Sequence, residues 1–213
     1  MPRHPLASTI ALLLATAVTA VGEELPPKES PPHTAVYRNS SRSRVEPSDE
    51  WTFTSEDTIT IAVRDKKSRW ENKSDGQVLL IDPTIRQTIK YGGKVPPKTA
   101  TRTKATYTTI GWEFGIATVA NATEAPPEVL GKSTIAGHEC TRLRWTSVQY
   151  GKPEFCVSKT GIVLRFENRS STAETVYEAQ SVDETAPDAA KFAVPEGYTI
   201  EDRSSSPKSV KIL

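Results

Sequence analysis

The sequence predicts a mainly β protein, an antiparallel sheet with minor helix, on three observations. Short runs alternate apolar and polar residues with the period of two that half-buried strands require, as in Asp57 to Arg64, where Ile59, Ile61 and Val63 share a face. Turn-forming residues punctuate these runs at Asp65-Lys66-Lys67, Asp82-Pro83, Tyr150-Gly151-Lys152-Pro153 and Thr160-Gly161. Thr, Val and Ile are frequent, the chain has a single Met, and long helical patterns are few.

Residues 1–22 place Arg3 and His4 before an apolar run from Leu6 to Val21 that ends in small residues, the pattern of a secretory signal peptide. Ala15-Thr16-Ala17, Val18-Thr19-Ala20 and Ala20-Val21-Gly22 are all acceptable cleavage sites. The run is short for a membrane span, no second apolar stretch of spanning length follows, and no cysteine stands near the cleavage region to carry a lipid anchor. The mature chain is therefore expected to be exported, periplasmic or secreted, with no transmembrane segment. Cleavage removes Arg3 and no acid, leaving 26 basic and 26 acidic residues. Such a balance gives no global attraction to nucleic acid or to an anionic membrane.

What remains divides into a Pro-rich linker (residues 23–33), one domain (34–201) and a Ser- and Lys-rich tail (202–213) expected to be disordered. Thr34 to Val45 reads as a polar strand bearing Arg38, Arg42 and Arg44, the composition of a solvated sheet edge. Asp57 to Arg64 and the return from Ser68 form a hairpin, and Val78 to Ile81 with Ile85 to Tyr91 form another. Gly92-Gly93-Lys94 lacks the glycine spacing and the following Ser or Thr of a phosphate-binding loop. Ile110, Phe114 and Ala117, with Trp112, Ile116 and Val119, have helical spacing, predicting a helix over 109–122 that covers the sheet; Gly111 and Gly115 inside it also fit a mobile lid. Ala173 to Asp183 predicts a last long strand, and Pro187 to Phe192 a single helical turn.

Both cysteines fall in Ile135 to Glu167, which reads as a three-stranded meander. Leu143 and Trp145 alternate with Arg142 and Arg144, Phe155 and Val157 with Glu154 and Ser158, and Ile162, Leu164 and Phe166 with Val163, Arg165 and Glu167. On this parity Cys140 and Cys156 both lie off the apolar face. A tight turn centred between Tyr150 and Gly151 would set Cys140 opposite Gly161 and Cys156 opposite Trp145, so a bridge requires a looser loop or a bulge. The export signal makes a Cys140–Cys156 disulfide the expectation. A nucleophilic Cys140 served by His138 is the competing reading, disfavoured because neighbours on one strand supply neither a placed base nor an electropositive pocket.

The run Ile135-Ala136-Gly137-His138-Glu139-Cys140, the strand with Trp145, the Gly161 turn into Leu164-Arg165-Phe166, and Phe192-Ala193-Val194-Pro195-Glu196-Gly197-Tyr198 together resemble exported bacterial domains of unknown function related to the lipoprotein-carrier superfamily, LolA, LolB and RseB-like. The resemblance spans about residues 34–200 and implies a strongly curved antiparallel sheet, an unclosed half-barrel, with one or two helices over its concave apolar side. It brings no catalytic residues. The mature chain keeps only His33 and His138, so histidine-based acid–base or metal chemistry lacks partners, and neither cofactor nor metal is expected. The favoured function is a non-enzymatic periplasmic carrier holding an apolar group, a lipid or lipoprotein acyl chain, lined by Ile59, Ile61, Val63, Trp112, Phe114, Trp145, Phe155 and Leu164. The alternative is an envelope protein-interaction or sensor module with a filled core.

Overall fold

The computed structural model describes residues 25–27, 29–44, 50–104, 126–146 and 152–203. Within them the chain forms strands β1 (His33–Ser43), β2 (Phe53–Arg64), β3 (Lys67–Asn72), β4 (Val78–Asp82), β5 (Gln87–Tyr91), β6 (Thr99–Lys104), β7 (Glu128–Ile135), β8 (His138–Arg144), β9 (Glu154–Ser158), β10 (Val163–Arg169), β11 (Ala173–Asp183) and β12 (Thr199–Arg203). All belong to one unclosed sheet of order β12-β6-β5-β4-β3-β2-β1-β11-β10-β9-β8-β7, antiparallel throughout except for β12 beside β6. The expected helical turn is a 3-10 turn at Ala189–Phe192, and the predicted covering helix of 109–122, with Trp112 and Phe114, lies outside the described residues.

The sheet is strongly curved. In a flat sheet β7 would stand about 19 Å from β11, four interstrand spacings away. It returns to within 8 Å, Cα to Cα. Two-residue turns with both central φ positive join β2 to β3 at Asp65 (51°) and Lys66 (63°), and β7 to β8 at Ala136 (50°) and Gly137 (80°). This geometry matches the twist of the strands it joins.

The arginine-bearing first strand is central, not an edge. β1 pairs β2 on one side and β11 on the other, along nearly its full length. Its alternation is decisive: His33, Ala35 and Tyr37 are buried, while Arg38 and Arg42 face the opposite side and meet carboxylates of neighbouring strands. A polar face next to paired acids satisfies an interior strand as well as water would.

The predicted linker is seated on the domain. Pro26 is buried, Glu29 pairs with Lys66 at 3.0 Å, and the backbone carbonyls of Pro27 and Glu29 lie against the Gly161 turn. A Cβ on Gly161, whose φ is +90°, would lie 2.7 Å from the Glu29 carbonyl oxygen, so both the conformation and the space require glycine. At the other terminus, β12 takes in Asp202 and Arg203, with Asp202 receiving two hydrogen bonds from Arg102 at 2.5 and 2.7 Å.

Cys140 and Cys156 are joined, with a Cα–Cα distance of 5.4 Å. The hairpin that carries them is longer than a tight turn allows: Arg144 pairs Glu154, and the Trp145 N–H donates to the Pro153 carbonyl at 3.1 Å. This sets Cys140 opposite Ser158 and Cys156 opposite Arg142, and the bridge runs along the diagonal. Both cysteines are 2% exposed, so the expectation that they sit outside the core is corrected. β9 is buried on both faces, and Cys140 and Cys156 join the main core with Ile135 and Ala136 packed against it.

Candidate functional site: an aromatic face with a polar end

The two faces of the sheet differ in chemistry. On the apolar face, cross-strand partners bring Tyr37 against Ile59, Ala35 against Ile61, Leu143 against Phe155, and Phe155 against Phe166. Phe166 in turn meets Tyr177. Because register partners on a pleated sheet point to one side, these pairs place a row of rings across the strands.

The row begins at Trp145, whose ring stands perpendicular to Phe155 with centroids 5.0 Å apart. It continues through Phe155–Phe166 at 5.1 Å, Phe166–Tyr177 at 6.1 Å and Tyr177–Trp70 at 6.0 Å. These separations are those of attractive edge and tilted ring pairs. Trp70 lies on β3 and Tyr177 on β11, with β2 and β1 between them, so their approach requires the sheet to curl toward this face. The Tyr37 hydroxyl donates to the Val163 carbonyl at 2.7 Å, tying the central strand to β10 beneath the row.

Ile59, Ile61, Val63, Trp145, Phe155 and Leu164 all fall in this one cluster, none more than 7% exposed. Half-buried against them are Trp70, Leu79, Phe166, Tyr177 and Val182. These residues are the ones a ligand on this face would touch, and sequence reasoning did not select them. Two bulges explain part of the miss. An irregularity between Val163 and Arg165 breaks the alternation, so Val163 and Phe166 share the apolar face, where strict parity had grouped Phe166 with Leu164. Another, opposite Val36 and Tyr37, brings Val182 onto the same side as Tyr177 and Ala179.

The row ends in polar groups. Asn39 on β1 is the register partner of both Tyr177 and Asp57, and Asn72 on β3 is the partner of Ile59. Asp57 accepts from Asn72 Nδ2 at 2.5 Å, from Ser74 Oγ at 2.9 Å and from the Thr58 N–H at 2.8 Å. Desolvation alone would raise its pKa; the hydrogen bonds from Ser74, Asn72 and the backbone outweigh it and hold the carboxyl below the usual range. Asn39 Oδ1 is buried and has no hydrogen-bond partner among the described residues, and the same holds for Trp145 Nε1.

The opposite face is a lattice of ion pairs. Arg165 meets Glu178 at 2.6 Å and Glu167 at 2.8 Å, Arg169 meets Glu167 at 2.5 Å and Glu174 at 3.3 Å, and Arg144 meets Glu154 at 2.6 Å and Glu128 at 3.3 Å. Within the curl from β11 to β7 lies a cleft of ≈ 670 Å³, with Phe155, Cys156, Ala179 and Ile135 among the lining residues and Arg142, Glu154, Arg165 and Glu167 contributing charge.

His33 and His138 approach a common acid. His33 is buried at the start of β1, with Nδ1 2.8 Å from the Pro31 carbonyl. Burial lowers its pKa from 6.5, against the opposing effects of that hydrogen bond and of Glu184. His138 Nδ1 is 3.7 Å from the same Glu184. Among the described residues no three His, Cys, Asp or Glu side chains gather as metal ligands would, and no helix is long and apolar enough to cross a membrane.

No protein-family model matches the chain, and no curated protein is detectably similar. Solved structures do share its fold. An uncharacterized conserved protein from Thermus thermophilus superposes with a TM-score of 0.50 at 13% identity, over 82% of this chain and 91% of that one. A LolA superfamily protein from Nitrosomonas europaea aligns at 0.41 and 11% identity, over 78% and 91%. The Pseudomonas aeruginosa MucA/MucB complex aligns at 0.40 and 13%, over 80% of this chain and 58% of the other. At these identities the likeness is one of fold.

Proposed function

We propose that the protein is an exported, non-enzymatic binding protein of the periplasm that holds an apolar group, an acyl chain, against the aromatic face of its open sheet. The observation that carries this reading is the ring row itself. It grades from fully buried Trp145 and Phe155 to half-buried Phe166, Tyr177 and Trp70, a surface too apolar to be left to water and continuous with the core. In this reading Ile59, Ile61, Val63 and Leu164 form the floor and the half-buried rings the contact surface; Trp112 and Phe114 belong to the proposed cover.

Native mass spectrometry of protein purified gently from its own envelope tests the proposal. Additional mass that extracts as an acyl lipid, and is lost in a Phe166→Ala/Tyr177→Ala variant, is the expected result. A mature apoprotein mass from every preparation, with no uptake of added acyl probes, overturns it.

A second reading rests on the charged cleft of ≈ 670 Å³. Its ion-paired walls and partly apolar floor suit a polypeptide segment of an envelope partner, which would make the protein an interaction module. Cross-linking from Lys132, beside this cleft on β7, to a single envelope protein would favour it over the carrier.

A further inference from the structure

We propose that the group held on the aromatic face belongs to an amphiphile with a primary ammonium head, and that Asp57 and Asn39 receive that head. The inference rests on the carrier reading above and names the ligand's polar chemistry.

Asp57 differs from the carboxylates of the charged face. Across the sheet Glu154, Glu167, Glu174 and Glu178 each meet an arginine. Asp57, on the apolar side, is held by neutral donors alone: Asn72 Nδ2, Ser74 Oγ and the Thr58 N–H. It takes part in none of the ion pairs among the described residues. Lys73 is the nearest cation in sequence; its N–H donates to the Thr58 carbonyl, and it too makes no ion pair there. A negative charge with hydrogen-bonded oxygens and no counter-cation, beside an apolar wall, attracts cations more strongly than one in open water.

Asn39 supplies an independent observation. Its Oδ1 is buried and lacks a donor, and Asn39 is the direct register partner of Asp57. Two adjacent acceptors, one charged and one buried, call for a donor-bearing cation. A primary ammonium has three N–H donors and serves both, whereas a quaternary ammonium donates to neither and a phosphate or carboxylate meets Asp57 with like charge. Tyr177, the other register partner of Asn39, and Trp70 lie next along the same face. Their rings lead the tail from the head site toward Phe166 and Phe155 and favour a nearby cation through their π faces.

The test uses the full mature protein and four probes of one chain length: dodecylammonium, dodecyltrimethylammonium, dodecanol and dodecanoate, all below micelle formation, followed by titration calorimetry at neutral pH and low salt. Dodecylammonium is expected to bind at least about tenfold more tightly than dodecanoate and more tightly than its trimethyl analogue, with the first ratio falling as salt screens the charge. In Asp57→Asn the ammonium-to-carboxylate ratio is expected to collapse toward one, while Asp57→Glu keeps it. Both ratios are read within a single preparation, so partial loss of folded protein does not mimic the effect. Equal or tighter binding of dodecanoate by the wild type overturns the head assignment and leaves the carrier reading standing. Failure of all four probes to bind overturns both. Transfer from phosphatidylethanolamine vesicles in preference to phosphatidylglycerol vesicles identifies the head as that of a membrane lipid; a preference confined to dodecylammonium identifies a soluble amine, and either sustains the proposal.

Discussion

Breaking the Cys140–Cys156 bridge should cost this protein a large part of its stability. The bond joins cysteines separated by 16 residues. In the chain-entropy description, closing a loop of that size removes denatured-state freedom worth about 3 kcal/mol. For a domain of this length that corresponds to a fall of about 6–12 °C in Tm, or roughly 1–3 M in the urea midpoint. The C140A/C156A variant should lose at least this much, because both cysteines are only 2% exposed and their sulfurs pack in the core. Urea titrations of oxidised wild type, fully reduced wild type and the double variant make the comparison. Both unbridged forms should unfold well before the oxidised one, with the double variant no later than reduced wild type. Reduced and oxidised wild type with the same midpoint would refute the reasoning.

Other perturbations probe the core, the N-terminal segment and the buried imidazole. Phe155→Ala removes the ring between Trp145 and Phe166 and should destabilise by about 3–5 kcal/mol by chemical denaturation, since the site is closed on both faces. Gly161→Ala forces a Cβ toward the Glu29 carbonyl at a positive φ; limited proteolysis should then cut within residues 25–31 at protease concentrations that leave the wild type intact. His33 has its pKa lowered from 6.5 by burial, so on acidification the unfolded chain takes up a proton before the folded one does. Stability should therefore decline as pH falls from about 6.5 toward the carboxylate range, and His33→Gln should flatten that part of a stability-against-pH curve.

Local grammar carried much of the fold. The β2–β3 hairpin was legible because Ile59, Ile61 and Val63 alternate up to a two-residue turn, and the β8–β10 meander because Arg142, Arg144 and Glu154 mark one face so plainly. What local pattern could not convey was the position of a strand within the sheet. Arg38, Arg42 and Arg44 look like an edge until Glu174 and Glu178, far along the chain, are seen to answer two of them. β6, with the sequence Thr-Ala-Thr-Arg-Thr-Lys, carries almost no apolar signal because its packing residues are Ala100 and Thr101. The site divides in the same way. Its buried floor is written in alternation, whereas the half-buried rings and the Asn39–Asp57 pair depend on bulges and register, which are properties of strand pairs and not of any one strand.

The placement of β1 bears on how the chain matures. Its two partners are β2, which follows almost at once, and β11, which begins at Ala173. Until most of the polypeptide has emerged, the first strand can satisfy only one of its edges, and the curl that buries Tyr37 against Val163 cannot close. Long-range closure of this kind slows folding. Under the export proposed above, that delay would keep the precursor extended during translocation and would make the arrival of β11 beside β1 the step that completes the sheet.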